Sequence, residues 1–153
     1  MSTTLSPRMT HPVYVLEDAL PALQAVGKAV SRARVPINLE FVALRASQIN
    51  GCSWCVDMHA KALREAGESE ERVYGIGAWR DLPYYSDAER AALALTEAVT
   101  RIADTAEPVP DAIYDAAAEH FDEPQMAGLV LAIAQINLWN RLNVTTRQVV
   151  SAA

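Results

Sequence analysis

Apolar residues recur three and four positions apart in segment after segment of this chain, and those segments are rich in Ala, Leu, Glu and Arg. No alternation of strand period runs for a useful length, so the pattern predicts an all-α fold, a compact domain of about seven helices. The first helix runs from about Leu16 to Ser31, with Leu16, Leu20, Leu23, Val26 and Val30 on one stripe, and ends before Pro36. Pro36 suits the first turn of a second helix that continues to about Ile49, where Asn50-Gly51 supplies the stop. A third opens at or just after Gly51 and ends near Ala66-Gly67, and a short fourth covers about Ser69 to Gly75. Ala78 to Tyr85 reads as an ordered loop, with Tyr84 and Tyr85 as its anchors. Ser86 and Glu89 form a capping box that starts a fifth helix reaching about Ala103. Glu107 to Pro110 breaks the pattern. A sixth helix spans Asp111 to about His120, and Asp122 with Pro124 starts a seventh that reaches about Leu142, ended by Asn143.

The seventh helix is apolar on two sides: Leu129, Ile133 and Ile136 share one stripe, and Val130, Ala134 and Leu138 share another. One core does not bury both. Either the helix is central and wrapped by its neighbours, or its second stripe packs against another copy of the chain.

Composition narrows the class. With 153 residues and 51% hydrophobic content the chain is sized for one domain, residues 1–153, in which 1–12 are expected to form a loosely ordered tail. A formal charge of -6 and singly scattered Lys and Arg give no phosphate-tracking stripe, so no nucleic-acid partner is expected. The polar start lacks the apolar centre of a secretory signal, and the longest apolar stretch, Ala127 to Ile136, falls short of the roughly 20 residues that cross a bilayer. The expectation is a cytoplasmic protein with no membrane span. Two cysteines in such a reducing compartment point to a reactive pair or a metal site rather than a permanent staple. No Gly-rich phosphate loop is present, so no bound nicotinamide or flavin cofactor is expected.

Cys52 and Cys55 stand three residues apart at the start of a helix, which brings their sulfurs to one face within disulfide range. The unpaired N–H groups of a helix N-terminus stabilise thiolate, so one or both thiols should titrate below the ~8.5 of free cysteine. His59 lies one turn beyond Cys55 on the same face, where an imidazole can take the thiol proton. If the second and third helices form an antiparallel hairpin turning at Asn50-Gly51, Glu40 and His59 lie equally far from the turn, roughly 13–15 Å at 1.5 Å per residue. They should face each other. Glu40 sits among Leu39, Phe41, Val42 and Ala43, an awkward setting for a carboxylate without a partner. A carboxylate that orients a histidine, which activates a nucleophile, is the logic of triads with a thiol in place of a hydroxyl.

The same four residues also suit a half-built zinc site, with Cys52, Cys55, His59 and Glu40 as ligands, although structural zinc usually recruits more sulfur or a second histidine. Trp54 reads as packing, Asp57 as a solvated or helix-start charge, and His11 and His120 as structural. The helix terminus favours Cys52 as the more acidic thiol, and the imidazole favours Cys55. A base must reach the proton it takes, which selects Cys55.

The arrangement Glu40, eleven residues, Cys52-Ser53-Trp54-Cys55, three residues, His59 resembles the AhpD-like alkylhydroperoxidase branch of the carboxymuconolactone decarboxylase family. The likeness extends through Val56-Asp57-Met58-His59, the Trp79-Arg80 loop, Ser86 to Glu97 and Ile136 to Arg141, most of the chain from Leu16 onward. It implies an all-α homo-oligomer, trimeric or hexameric, with the cysteines near subunit contacts. It also implies thiol-dependent peroxidase chemistry: Cys55 attacks the peroxide, Cys52 resolves, and Glu40 and His59 relay protons. An external dithiol such as a lipoylated protein would reopen the disulfide, and the substrate would be an organic hydroperoxide or a partner peroxiredoxin. Trp54 stands where the best-known AhpD has a histidine, and that enzyme's chain is longer. The decarboxylase branch lacks the cysteine pair, so lactone decarboxylation ranks third, behind a metal-binding or redox-sensing module without turnover.

Overall fold

The computed structural model describes residues 5–150, and every regular element among them is helical. There are eight α-helices: α1 (Pro12–Val15), α2 (Ala19–Arg32), α3 (Leu39–Asn50), α4 (Ser53–Glu65), α5 (Glu70–Gly75), α6 (Asp87–Thr100), α7 (Asp111–Ala118) and α8 (Glu123–Thr146). A 3-10 segment, Ile76–Asp81, follows α5 inside the stretch expected to be a loop. No described helix is long and apolar enough to cross a membrane.

Helix starts follow cap chemistry. Asn38, not Pro36, opens α3, because its side chain accepts the Glu40 N–H and satisfies a donor that proline cannot. The capping box of Ser86 and Glu89 forms as expected, and Asp122 with Gln125 forms a second at the start of α8. The short α1 was not anticipated. His11 caps it, accepting the Val13 N–H on Nδ1, with Pro12 in the first turn. Leu16, expected to begin the first long helix, is exposed between α1 and α2.

The N-terminal segment meets the end of α8. Of the segment expected to be loose, Met1 to Thr4 lie outside the described residues, and Arg8 is held to the end of α8. Its backbone N–H donates to the Thr146 carbonyl at 2.8 Å and its guanidinium to the Thr145 carbonyl at 3.0 Å. Helix α8 runs past Asn143 to Thr146 because Asn143 is buried and bonded within the core instead of ending the helix. Arg147 terminates it in the left-handed region, with φ +52°.

Helix α3 is the hub, packing against α4, α6 and α8. Its two faces serve two apolar clusters. Val42 joins Ala92, Leu95, Phe121, Leu129 and Ile133, while Phe41 and Leu44 join Leu63, Ile76, Trp79 and Leu93. Each fully buried aliphatic of this kind stabilises by about 1.5–3 kcal/mol relative to exposure. Tyr85 anchors its loop through an O–H donated to the Arg72 carbonyl at 2.6 Å, and burial pushes its phenol up to about 12. Tyr84 is 42% exposed.

The two stripes of α8 separate. Leu129, Ile133 and Ile136 are buried, whereas Val130 and Leu138 remain about two-fifths exposed at 40% and 39%. The second stripe is therefore not wrapped by this chain's own helices.

Candidate functional site

The site is built on the α3–α4 hairpin. Gly51 ends α3 with φ +68°, and a Schellman pattern closes it: the Gly51 N–H donates to the Gln48 carbonyl and the Cys52 N–H to the Ser47 carbonyl. A side chain at 51 would strain that backbone. The turn is held to α8 by buried amides. Asn50 Nδ2 donates to both Asn137 Oδ1 and Asn140 Oδ1 at 2.9 Å, and Asn140 Nδ2 donates to Ser47 Oγ at 2.9 Å. These bonds fix where the next residue, Cys52, enters α4.

Cys52 is the N-cap of α4, and its sulfur accepts the Cys55 N–H at 3.3 Å, doing what a serine hydroxyl does at that position. The two cysteines are joined in a disulfide, their Cα atoms 5.3 Å apart, and both residues are 1% exposed. This pair fits a Cys-x-x-Cys redox centre. The expected meeting of Glu40 and His59 is present: Nδ1 of His59 lies 2.6 Å from Oε2 of Glu40. Glu40 occupies the first turn of α3, where a carboxylate also gains from the helix N-terminus. Because a carboxylate only accepts, the imidazole donates from Nδ1, which leaves the Nε2 lone pair as the base of the neutral ring. That Nε2 is buried and has no hydrogen-bond partner among the described residues.

A cavity of about 680 Å³ opens beside this pair. Cys55, His59 and Glu40 border it, whereas Cys52 does not. Its other walls are largely apolar and aromatic, with Trp54, Met58, Ile136 and Trp139 among them. The arrangement can therefore present one sulfur and one base to a small molecule held against apolar and aromatic walls.

All four residues expected to carry chemistry thus meet around one hairpin. Other expectations change. Trp54, read as packing, is 39% exposed and stands at the cavity. His11, read as structural, caps α1 and also borders the cavity, its ring centroid 5.9 Å from that of Trp139. Asp57 is a solvated helix residue paired with Lys61 at 2.7 Å, and His120 is exposed. No group of three or more His, Cys, Asp or Glu among the described residues is arranged to hold a metal ion. Sequence reasoning missed Asn143, whose Nδ2 donates to Cys55 Sγ at 3.4 Å. A signal was there: Asn137, Asn140 and Asn143 recur every third residue in the C-terminal half of α8, a polar stripe that needs partners where it is buried.

A protein from Bacillus subtilis strain 168, Uncharacterized protein YdfG, is 46% identical over 105 residues, 69% of this chain and 70% of its own length. Alkyl hydroperoxide reductase AhpD of Solibacter usitatus is 42% identical over 64 residues, 42% of this chain and 34% of that longer protein. A crystal structure of an Agrobacterium tumefaciens protein of unknown function bearing the AhpD name superposes with a TM-score of 0.87 at 33% identity, covering 97% of this chain and all of that one. Residues 20–98, which contain Glu40, both cysteines and His59, match the model of the Carboxymuconolactone decarboxylase family. The chain belongs to that family, as an AhpD-like member.

Proposed function

We propose that this protein is a thiol-dependent peroxidase that reduces an organic hydroperoxide, or accepts oxidising equivalents from a partner peroxiredoxin, through Cys55 and Cys52. The observation that carries the reading is the 2.6 Å Glu40–His59 pair beside a cystine whose Cys55 borders a cavity. In the reduced enzyme Nε2 of His59 takes the Cys55 proton. The thiolate attacks the outer oxygen of the hydroperoxide, the O–O bond breaks, and the departing alkoxide takes the proton back from the imidazolium and leaves as alcohol. Cys55 is now a sulfenic acid. The Cys52 thiol attacks that sulfur, the S–O bond breaks, and the oxygen leaves as water, closing the disulfide before further oxidation. Glu40 holds the ring in the tautomer this requires and stabilises the imidazolium in between.

An external dithiol, such as a lipoylated protein, reopens the cystine by two exchange steps and becomes a disulfide itself. Since both cysteines are 1% exposed, the donor must deliver its thiol through the cavity, where Trp54 and Met58 form an apolar, partly exposed rim. The unburied stripe of Val130, Leu131 and Leu138 on α8 supports a homo-oligomeric enzyme.

The deciding experiment is consumption of cumene hydroperoxide with dithiothreitol and then dihydrolipoamide, on wild type and Cys55→Ser side by side. Turnover in the wild type that vanishes in the variant is the expected result. Turnover that survives loss of the thiol, or none with either donor on any hydroperoxide or on an oxidised peroxiredoxin, overturns the reading.

A further inference from the structure

We propose that Asn143 is a further catalytic residue, whose side-chain amide stabilises the thiolate of Cys55. The inference rests on Cys55 being the reacting sulfur. Nδ2 of Asn143 donates to Cys55 Sγ at 3.4 Å, from a residue that is 5% exposed to a residue that is 1% exposed. Its neighbours on the polar stripe of α8 have other partners: Asn137 donates to Thr100 and Asn140 to Ser47. Asn143 alone of the three donates to sulfur, and it is held in place from the other side, since its backbone carbonyl accepts the Gln148 N–H at 2.9 Å in the turn that ends α8.

A buried amide is desolvated at a cost that a weak acceptor does not return. Disulfide sulfur and neutral thiol are weak acceptors, and thiolate is a strong one, because a bond to an ionised acceptor is roughly twice as strong as a neutral one. The same contact therefore strengthens when Cys55 is reduced and loses its proton. No lysine or arginine among the described residues borders the cavity. The titratable groups there besides Cys55 are His11 and Tyr14 from the α1 segment, Glu40 from α3 and His59 from α4. A carboxylate does not stabilise a negative sulfur, so while His59 holds the proton the groups that stabilise the thiolate are the imidazolium itself, the N-terminal turn of α4 and the Asn143 amide. The division of labour is then complete: His59 moves the proton and Asn143 holds the charge left behind.

The test uses a Cys52→Ser background, which keeps an oxygen cap on α4 and leaves Cys55 as the one thiol. Its midpoint is read from thiolate absorbance near 240 nm and from the pH dependence of alkylation by iodoacetamide. Asn143→Ala is expected to raise the midpoint by about one to two pH units, and Asn143→Asp, which swaps the donor for an acceptor of the same shape, by more. A variant that is folded by circular dichroism and melts lower but titrates at the unchanged midpoint has lost only a structural contact, and that result overturns the proposal. Should neither variant fold, the Cys52→Ser protein with Asn143 intact decides by nuclear magnetic resonance. The Asn143 side-chain amide signals must shift with the same midpoint as the absorbance, and signals that stay flat across it overturn the proposal. No peroxide enters these measurements, so an absent peroxidase activity and an absent thiolate contact are separate outcomes.

Discussion

Two carboxylates partnered by side chains across α3 meet opposite fates. Glu97, on α6, is 5% exposed and fully engaged. Its Oε1 accepts from Arg45 Nε at 2.8 Å and Trp79 Nε1 at 3.0 Å, its Oε2 accepts from Arg80 at 2.7 Å, and Arg101 stands at 3.6 Å. Glu40 makes one short bond to His59, whose other nitrogen has no partner among the described residues and which faces a cavity. Saturation marks the first cluster as a fastener between α3, α6 and the 3-10 segment. Incomplete satisfaction, which costs stability, leaves the second with an unpartnered nitrogen at the cavity, which fits the proton transfer proposed above.

That contrast is open to attack by substitution. The largest expected effect is on turnover: His59→Asn keeps a donor for Glu40 but removes the base, and kcat/KM for hydroperoxide should fall about 10²–10⁴-fold with the melting temperature nearly unchanged. A fall of less than threefold would return the imidazole to a packing role. Next comes stability. Glu97→Gln leaves the partly buried Arg45 without its anion, and chemical denaturation should show a loss of about 3 kcal/mol with the peroxidase rate per folded molecule preserved. Loss of activity at full stability would instead join Glu97 to the site.

Packing supplies a third comparison. A Cβ on Gly128 would stand 2.3 Å from the Ala33 Cβ and 3.1 Å from Val35 Cγ2, so Gly128→Ala should cost about 1–3 kcal/mol by pushing α8 away from the end of α2. Thermal melts at equal concentration measure it, and an unchanged melting point would mean that α2 yields freely. The smallest effect is in acid. Burial pushes the Glu97 carboxyl up, but hydrogen bonds from Trp79, Arg45 and Arg80 outweigh it and hold the group below its usual 4.5. A pKa lowered by folding contributes stability above the unfolded value, and that contribution drains away as pH falls from about 4.5 through the folded pKa. Wild type should lose stability in that window more steeply than Glu97→Gln, by at most about 1.4 kcal/mol per pH unit. Parallel acid limbs in the two proteins would show that Glu97 does not titrate as a salt-bridged carboxylate.

Much of this was legible in the chain itself. Asn50-Gly51 announces the turn, Ser86 and Glu89 announce the capping box, and the spacing of Cys52, Cys55 and His59 places three side chains on one face, because helical period and cap chemistry depend on residues only three or four apart. Even the Glu40–His59 meeting follows from counting along a hairpin whose turn is local. Pro36 misled for a related reason. A proline permits a helix start, but Asn38 satisfies a backbone donor there, and the better cap wins.

What only the tertiary structure decided lies between segments far apart in sequence. That Asn143 reaches Cys55 across 88 positions, that Trp139 and His11 help enclose the cavity, and that one stripe of α8 is buried while the other is bare, all depend on how α8 is rotated against α3. Local pattern determines which residues share a helix face. The angle and depth at which two faces meet is set by the packing of both cores together, and no stretch of a few residues carries that information.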